Sequence, residues 1–231
     1  TKHMLRVTLG GEQLTDFPPD QDGAYVKLHV PSLDAPEETV IRTYTVRFFR
    51  EDECAIDVDF VLHDVSGPAA AWARDCKVGE EILVGGPGPK KPANHAADWF
   101  LFAGDMSALP AISANLESLP RDANGYAFLE IMDEADKQTI DAPCGIAIQW
   151  LINPHPERTN STLFDAVEAV AWRDGAPYAW VAGEFTQSLN IRALLRERHR
   201  MARKNMYASS YWQIGKTEDG HRVSKAALSD S

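Results

Sequence analysis

Arg42-Thr43-Tyr44-Thr45-Val46-Arg47 alternates β-forming residues with cationic and hydroxyl side chains. A strand of this composition offers Arg42, Tyr44 and a neighbouring Thr to one bound molecule: a guanidinium for an anion, a ring for an aromatic plane and a hydroxyl for a polar edge. A flavin dinucleotide, with a ring to cover and a pyrophosphate to neutralise, calls for that combination. Asp59-Phe60-Val61-Leu62-His63 then reads as a strand. Gly67-Pro68-Ala69-Ala70-Ala71-Trp72-Ala73 reads as a tight entry into a helix whose first N–H groups can hold phosphate. In this order and spacing the two segments read as a flavin site.

A second group of residues has the character of a nucleotide site. Ala103-Gly104-Asp105-Met106-Ser107-Ala108 and Ala182-Gly183-Glu184 place small residues and acids at expected strand ends, where ligands bind in open parallel sheets. Gly104 lets the chain turn close to a ligand, and the following helix offers its positive end. The G-x-G-x-x-G dinucleotide motif is absent, and a turn glycine with a capping Asp105 is the plain alternative. Glu130, Asp133 and Glu184 show no spacing that pairs two acids on a helix. The seven histidines are scattered, with His29 read as structural, and H-E-x-x-H is missing. No metal held directly by protein side chains is therefore expected. Ser107 lies outside any G-x-S-x-G elbow, so serine hydrolase chemistry has no support.

These groups need a scaffold, and 231 residues with a 44% hydrophobic share suffice for one large or two modest domains. No apolar run approaches the roughly 20 residues of a membrane span, and no signal peptide is seen. The first residues already read as strand, so an upstream segment is expected. Cys54, Cys76 and Cys144 are dispersed without C-x-x-C spacing, which fits a reducing cytoplasm rather than a disulfide, zinc or iron–sulfur scaffold. A formal charge of −11 disfavours nucleic acid and an anionic membrane as partners. An anionic ligand then needs a local basic patch. Arg192, Arg196, Arg198, Arg200, Arg203 and Lys204 read either as a solvated helix face opposite Leu194 and Leu195 or as cations lining a cleft.

Residues 1–95 are strand-patterned. Met4–Leu9, Tyr25–Val30, Thr39–Phe48, Ala55–Leu62 and Glu81–Val84 are short β runs between Gly, Pro, Asp and Ser turns, with one helix near Pro68–Arg74. Taking Gln13–Phe17 as a sixth strand gives a small closed barrel; without it there are five. Residues 96–231 alternate strands (Trp99–Ala103, Tyr126–Met132, Ile146–Ile152, Tyr178–Ala182, Met206–Ser209) with helices (Ala108–Leu119, Leu163–Trp172, Thr186–Met201). That grammar implies a mainly parallel sheet covered on both faces. The boundary falls in the Gly/Pro-rich stretch 85–92.

Taken together, these residues resemble the siderophore-interacting protein family, the flavin-dependent ferric-siderophore reductases related to ferredoxin reductases. The resemblance also takes in Gly79-Glu80 before Gly86-Pro87-Gly88, Leu109-Pro110-Ala111-Ile112, Trp180-Val181, and Tyr211-Trp212-Gln213-Ile214-Gly215 with Glu218, so it covers essentially the whole chain. It departs at His63-Asp64, where Gly often follows the His, and at Gly85-Gly86, where many relatives carry a bulkier residue. Both changes bear on loop geometry rather than on the cofactor.

The resemblance implies a β + α/β fold: a six-stranded antiparallel FAD-binding β-barrel over residues 1–95, then a parallel-sheet α/β NAD(P)H-binding domain with a C-terminal extension over 96–231. It implies a cytoplasmic oxidoreductase that uses NADPH or NADH to reduce ferric siderophores or related chelates to Fe(II). The alternatives are a general flavin or quinone reductase, a reductase driven by reduced ferredoxin, and a non-catalytic siderophore carrier. On this reading Arg42 takes the pyrophosphate, Tyr44 covers the flavin ring and Thr45 bonds its edge. Asp59, with Phe60 and Val61 beside it, and His63 order the ribityl or adenosine portion. Gly67, Pro68 and Ala69 hold phosphate, and Trp72 packs the short helix or covers the adenine. Gly104, Asp105 and Ser107 lie by the nucleotide phosphates, Lys137 and Arg158 are candidates for a 2′-phosphate, and Ala182, Gly183 and Glu184 lie by the nicotinamide. Arg47, Arg50, Lys216, His221 and Arg222 are expected to hold the anionic chelate. Catalysis runs through the flavin, with no protein nucleophile.

Overall fold

The structure, a computed structural model, describes residues 1–63, 67–217 and 220. It divides into two compact units, Thr1–Pro92 and Ala93–Ser231.

The first unit is built on an antiparallel sheet of β1 (Met4–Gly10), β2 (Tyr25–Pro31), β3 (Thr39–Arg50), β4 (Ala55–Val61) and β5 (Leu83–Gly88), in the order β1-β4-β3-β2-β5. Alternation in β2 sends Val26, Leu28 and Val30 into the core and Tyr25, Lys27 and His29 away from it. The twelve-residue β3 serves two neighbours. Thr39–Thr45 pair with β2 and Val46–Arg50 with β4, with a register shift between Val46 and Phe48. An extra residue at that point bends the strand and increases its twist. Helix α1 (Pro68–Asp75) lays Ala69, Trp72 and Ala73 on the same core.

Five strands form among the described residues, not six. The segment expected as the sixth turns as a 3-10 helix at Glu12–Leu14. Gly11 enters it at φ 144°, the Thr15 hydroxyl donates to the Glu12 carbonyl at 2.6 Å, and Pro18-Pro19 follow, so an extended ladder is cut off on both sides. Leu14 and Phe17 still pack against the core, which accounts for the apolar spacing that suggested a strand.

The second unit is a five-stranded parallel sheet in the order β10-β9-β6-β7-β8. Its strands are β6 (Trp99–Gly104), β7 (Asn124–Ile131), β8 (Gly145–Ile152), β9 (Pro177–Glu184) and β10 (Met206–Trp212). The helices are α2 (Leu109–Ser118), α3 (Thr162–Glu168) and α4 (Phe185–Glu197). Trp99, Leu101 and Ala103 of β6 join the core beneath α3 and α4, including Leu163, Val167, Ile191 and Leu195. The alternate residue Gly104 faces α2, because a Cβ there would come within 2.6 Å of Ile112 Cδ1. Helices thus cover both faces. Strand order reverses between β6 and β9, the switch point at which such sheets open a crevice at their carboxyl ends. No helix among the described residues is long and apolar enough to cross a membrane.

Candidate functional site

In the first unit, directly paired residues share a face of the sheet. Val26 pairs with Tyr44 and Leu28 with Arg42, so Arg42 and Tyr44 project on the side of the buried Val26 and Leu28. The Tyr44 ring lies 4.4 Å from that of Phe60, and Phe60 lies 5.8 Å from Trp72. An aromatic run therefore leads from β3 through β4 to α1. Arg42 is half-buried, with Nη1 donating to the Ile41 carbonyl at 2.9 Å. At the start of α1, Pro68 brings no N–H, and the first amide bonded inside the helix is that of Ala71, to Gly67 O at 3.0 Å. The amides of Ala69 and Ala70 precede it and face outward from the helix end. A guanidinium, an aromatic wall and a helix start with small side chains fit a flavin dinucleotide.

Several expected contacts fall elsewhere. Asp59 alternates with Phe60 and so faces away from the aromatic run. It accepts from Arg6 Nε at 2.6 Å and Nη2 at 2.8 Å, a bidentate pair that occupies both of its oxygens. Asp59 therefore drops out of the flavin set. Arg47 is the extra residue at the β3 register shift and is only 3% exposed, with its guanidinium 4.0 Å from the Phe48 ring centre. Arg50 donates to Asp57 at 2.7 Å and to Thr8 at 3.0 Å. Arg47 and Arg50 thus stabilise the back of the sheet rather than line an open basic cleft. Thr45 pairs with Tyr25 on the face opposite Tyr44. Val61 ends β4, and His63 is exposed, lining a cavity of about 290 Å³ with His3, Leu62 and Arg74. Trp72 is 9% exposed, and its indole N–H donates to Glu80 at 3.1 Å, which fixes it as packing for α1.

In the second unit the strand ends at the switch point converge on Asp105. Its Oδ1 accepts from the Ser107 amide at 2.9 Å and from the Ser107 hydroxyl. Its Oδ2 accepts from the Glu184 amide at 2.8 Å and from Trp212 Nε1 at 2.8 Å. The carboxylate thereby ties together the ends of β6, β9 and β10. Gly183 is needed for this approach: it has φ 145°, and a Cβ there would lie 2.5 Å from Asp105 Oδ2. Glu184 caps α4 by accepting from the Gln187 amide at 3.0 Å and also accepts from the Ile214 amide at 3.4 Å. Gly104 is required by the closeness of Ile112 and of Ala182 O at 2.7 Å, a packing reason that needs no phosphate.

Glu130 is the group the sequence does not single out for this site. It occupies a buried position in the apolar run Ala127-Phe128-Leu129-Glu130-Ile131 and is 5% exposed. Oε1 accepts from Asn153 Nδ2 at 2.9 Å, while Oε2 is buried with no hydrogen-bond partner among the described residues. Burial pushes its carboxyl up from 4.5 to about 7, reinforced by the charges of Asp105 and Glu184 and opposed by Asn153 and Gln187. An acid inside an otherwise apolar strand is the one signal that could have marked it.

The folded chain therefore holds a proton on Glu130 more tightly than the unfolded chain, so stability falls as pH rises from 4.5 to 7. Glu130→Gln, which keeps the shape without the charge, is expected to match the wild type near pH 4.5 and to exceed it by about 1–3 kcal/mol at pH 8. Urea unfolding at the two pH values measures this. An equal difference at both would show that the carboxyl is not strained by burial.

The cations expected around the second unit are scattered. Lys137 forms an ion pair with Glu134, directly after the Asp133 and Asp136 capping box, and Arg158 lies 3.3 Å from Glu157. Lys216 is exposed beyond β10. His221 and Arg222 lie outside the described residues.

An antiparallel sheet carrying the Arg42–Tyr44 pair, followed by a parallel sheet with a nucleotide-type switch point, defines a flavoprotein reductase class of fold. Residues 31–91 match the siderophore-interacting FAD-binding domain, and residues 97–215 match the profile of the siderophore-interacting protein. The chain belongs to the siderophore-interacting protein family. It is 38% identical over 248 aligned residues to the ferric vibriobactin reductase ViuB of Vibrio cholerae, with all of this chain and 91% of the relative covered. The siderophore-interacting protein SipS of Aeromonas hydrophila is 30% identical with a TM-score of 0.86, over 99% of this chain and 93% of that one. A siderophore utilization protein from T. fusca is 32% identical with a TM-score of 0.83, over 96% and 91%.

Proposed function

We propose that this protein is a FAD-dependent oxidoreductase that reduces ferric siderophores, releasing iron as Fe(II). The observation that carries the reading is the pairing of Arg42 with Tyr44 on the face that leads through Phe60 to α1, within a segment that matches a FAD-binding domain. Bound FAD supplies a hydride acceptor that can release electrons singly. Arg42 holds the pyrophosphate, assisted by the Ala69 and Ala70 amides at the start of α1, and Gly67-Pro68 set that helix start. Tyr44 covers the ring and Phe60 supports the wall, whereas the side chains of Thr45 and Val61 alternate to the other face and drop out of the contact set. The bend of β3 at Val46–Phe48 supports closure of the first sheet toward a barrel. On this assignment Thr1–Pro92 is the FAD-binding unit and Ala93–Ser231 the nucleotide-binding unit.

The electron donor is NADH or NADPH, received at the carboxyl ends of β6 and β9 by Gly104, Asp105, Ser107 and Ala182–Glu184. Lys137 and Arg158 are both paired with neighbouring glutamates, so either would have to leave its pair to meet a 2′-phosphate. The acceptor is a ferric chelate of the kind named in the relatives, handled in the cytoplasm, with Lys216 an exposed cation among the described residues that can draw an anionic complex.

The test is anaerobic. The FAD-loaded protein is reduced with each nucleotide and mixed with ferric chelates of different charge. The expected result is flavin reoxidation with matching Fe(II) in a ferrozine trap, faster for anionic chelates at low salt. Reduction by neither nucleotide would move the donor to a protein such as reduced ferredoxin. Quinone turnover far above chelate turnover would make the protein a general reductase, and chelate binding without Fe(II) would make it a carrier.

A further inference from the structure

Three buried carboxylates gather where the strand order of the second unit reverses: Asp105 after β6, Glu130 on β7 and Glu184 at the end of β9. A pyridine nucleotide presents two very different ends to such a place. One is a doubly anionic pyrophosphate. The other is a nicotinamide riboside with hydroxyl and carboxamide donors, whose ring is positive when oxidised and neutral when reduced. Carboxylates repel the first and suit the second. The helix that follows Asp105 does not rescue phosphate binding there, since the amides of Ala108 and Leu109 already donate to Asp105 O at 3.0 and 3.1 Å.

The three acids are not equivalent. Both oxygens of Asp105 and both of Glu184 accept hydrogen bonds from the protein. Among the described residues Glu130 alone of the three keeps a buried oxygen, Oε2, with no donor at hydrogen-bonding geometry, while the nearby Gln187 amide donates to Asn160 at 3.1 Å. A charge placed there is poorly screened and acts over a longer distance than one on the surface.

We propose that Glu130 tunes the nicotinamide end of this nucleotide site by favouring the oxidised, positively charged ring over the reduced, neutral one. The inference rests on the pyridine-nucleotide reading above, with the nicotinamide beside Ala182–Glu184 as the resemblance implies, and adds a positioning residue. Glu130 is faced by Asp105 from β6 and Glu184 from the end of β9, both acidic, and by the neutral amides of Asn153 after β8 and Gln187 on α4. With its carboxyl raised to about 7, the charge is largely absent at pH 6 and present at pH 8. The preference for the oxidised ring must therefore grow with pH. A carboxylate that stabilises the charged ring also lowers the cost of releasing hydride, which links this residue to the direction of the reaction.

The test measures binding to the FAD-loaded protein by calorimetry, with NAD⁺ and with the non-reducing tetrahydro analogue of NADH, so that no turnover intervenes. In the wild type the ratio of NAD⁺ affinity to analogue affinity should rise about tenfold between pH 6 and pH 8. In Glu130→Gln the ratio should be flat and equal to the wild-type value at pH 6. A ratio that ignores pH, or that is the same in the variant, overturns the inference while leaving the nucleotide reading intact. So does a variant that binds both ligands more tightly by the same factor, since that is the pattern expected if the pyrophosphate lay against the acids. If the wild type binds neither ligand, the nucleotide reading fails and takes the inference with it. Reduction of ferric chelates by the dithionite-reduced protein then still reports on the reductase reading.

Discussion

Arg42→Ala is expected to weaken FAD binding about a hundredfold, from the loss of two charge-assisted hydrogen bonds at about 1.5–3 kcal/mol each with partial compensation by water. Arg42→Lys keeps the charge but loses the planar fork, and should fall in between, at about a tenfold loss. The folded state should tolerate both changes. Arg42 is half-buried at the edge of the face formed by Val26, Leu28 and Tyr44 rather than inside the core. Tyr44→Ala is a less clean probe, because it removes a ring packed 4.4 Å from Phe60 and so disturbs the core as well. FAD titration followed by flavin fluorescence gives the affinities, and melting without FAD separates binding from folding. If both Arg42 variants bind FAD like the wild type, the pyrophosphate must depend on the start of α1 alone.

Much of this site was legible in the sequence because its parts are local. The alternation of β3 puts Arg42 and Tyr44 on one face whatever the rest of the chain does, and Gly67-Pro68 starts a helix by its own backbone restrictions. The same alternation separates Asp59 from Phe60, which the expected cofactor set put together, and the partner that claims Asp59 is Arg6, 53 residues away across a strand pair. Arg47 looked like a free cation at the end of a strand. A register shift turned it inward, and register shifts depend on which strands pair rather than on the strand's own residues. Glu130 was passed over for a similar reason. Its neighbours Asp105, Asn153 and Glu184 come from three different strand ends and meet only once the sheet order is set. The alternation of strands and helices in the second unit was readable from periodicity, whereas the reversal of strand order between β6 and β9 was not.

Asp105→Ala is expected to cost the second unit about 3–5 kcal/mol, because it leaves several converging buried donors without an acceptor. The stranded groups would be the amides of Ser107 and Glu184 and the indole N–H of Trp212, which belong to three different segments. Alanine also opens a small void under Gly183, whose backbone approaches the carboxylate too closely to tolerate a Cβ. Asp105→Asn separates charge from geometry. Its single oxygen can satisfy the donors on one side, but its NH₂ must then face donors on the other, so it should recover only part of the loss. Burial raises the Asp105 carboxyl while the donors from Ser107, Trp212 and Glu184 oppose the rise. The folded wild type therefore holds its proton more readily than the unfolded chain, and raising the pH above the ordinary carboxylate range works against the native state. In the Asn variant that part of the pH dependence should vanish, while the dependence from Glu130 persists. Urea unfolding followed by tryptophan fluorescence, with Trp212 as the reporter at the site, measures both effects. Wild-type stability in Asp105→Ala would mean that the ends of β6, β9 and β10 are held by their ladders and cores alone. The glycine at 183 would then have to be explained by the approach of a ligand rather than by Asp105.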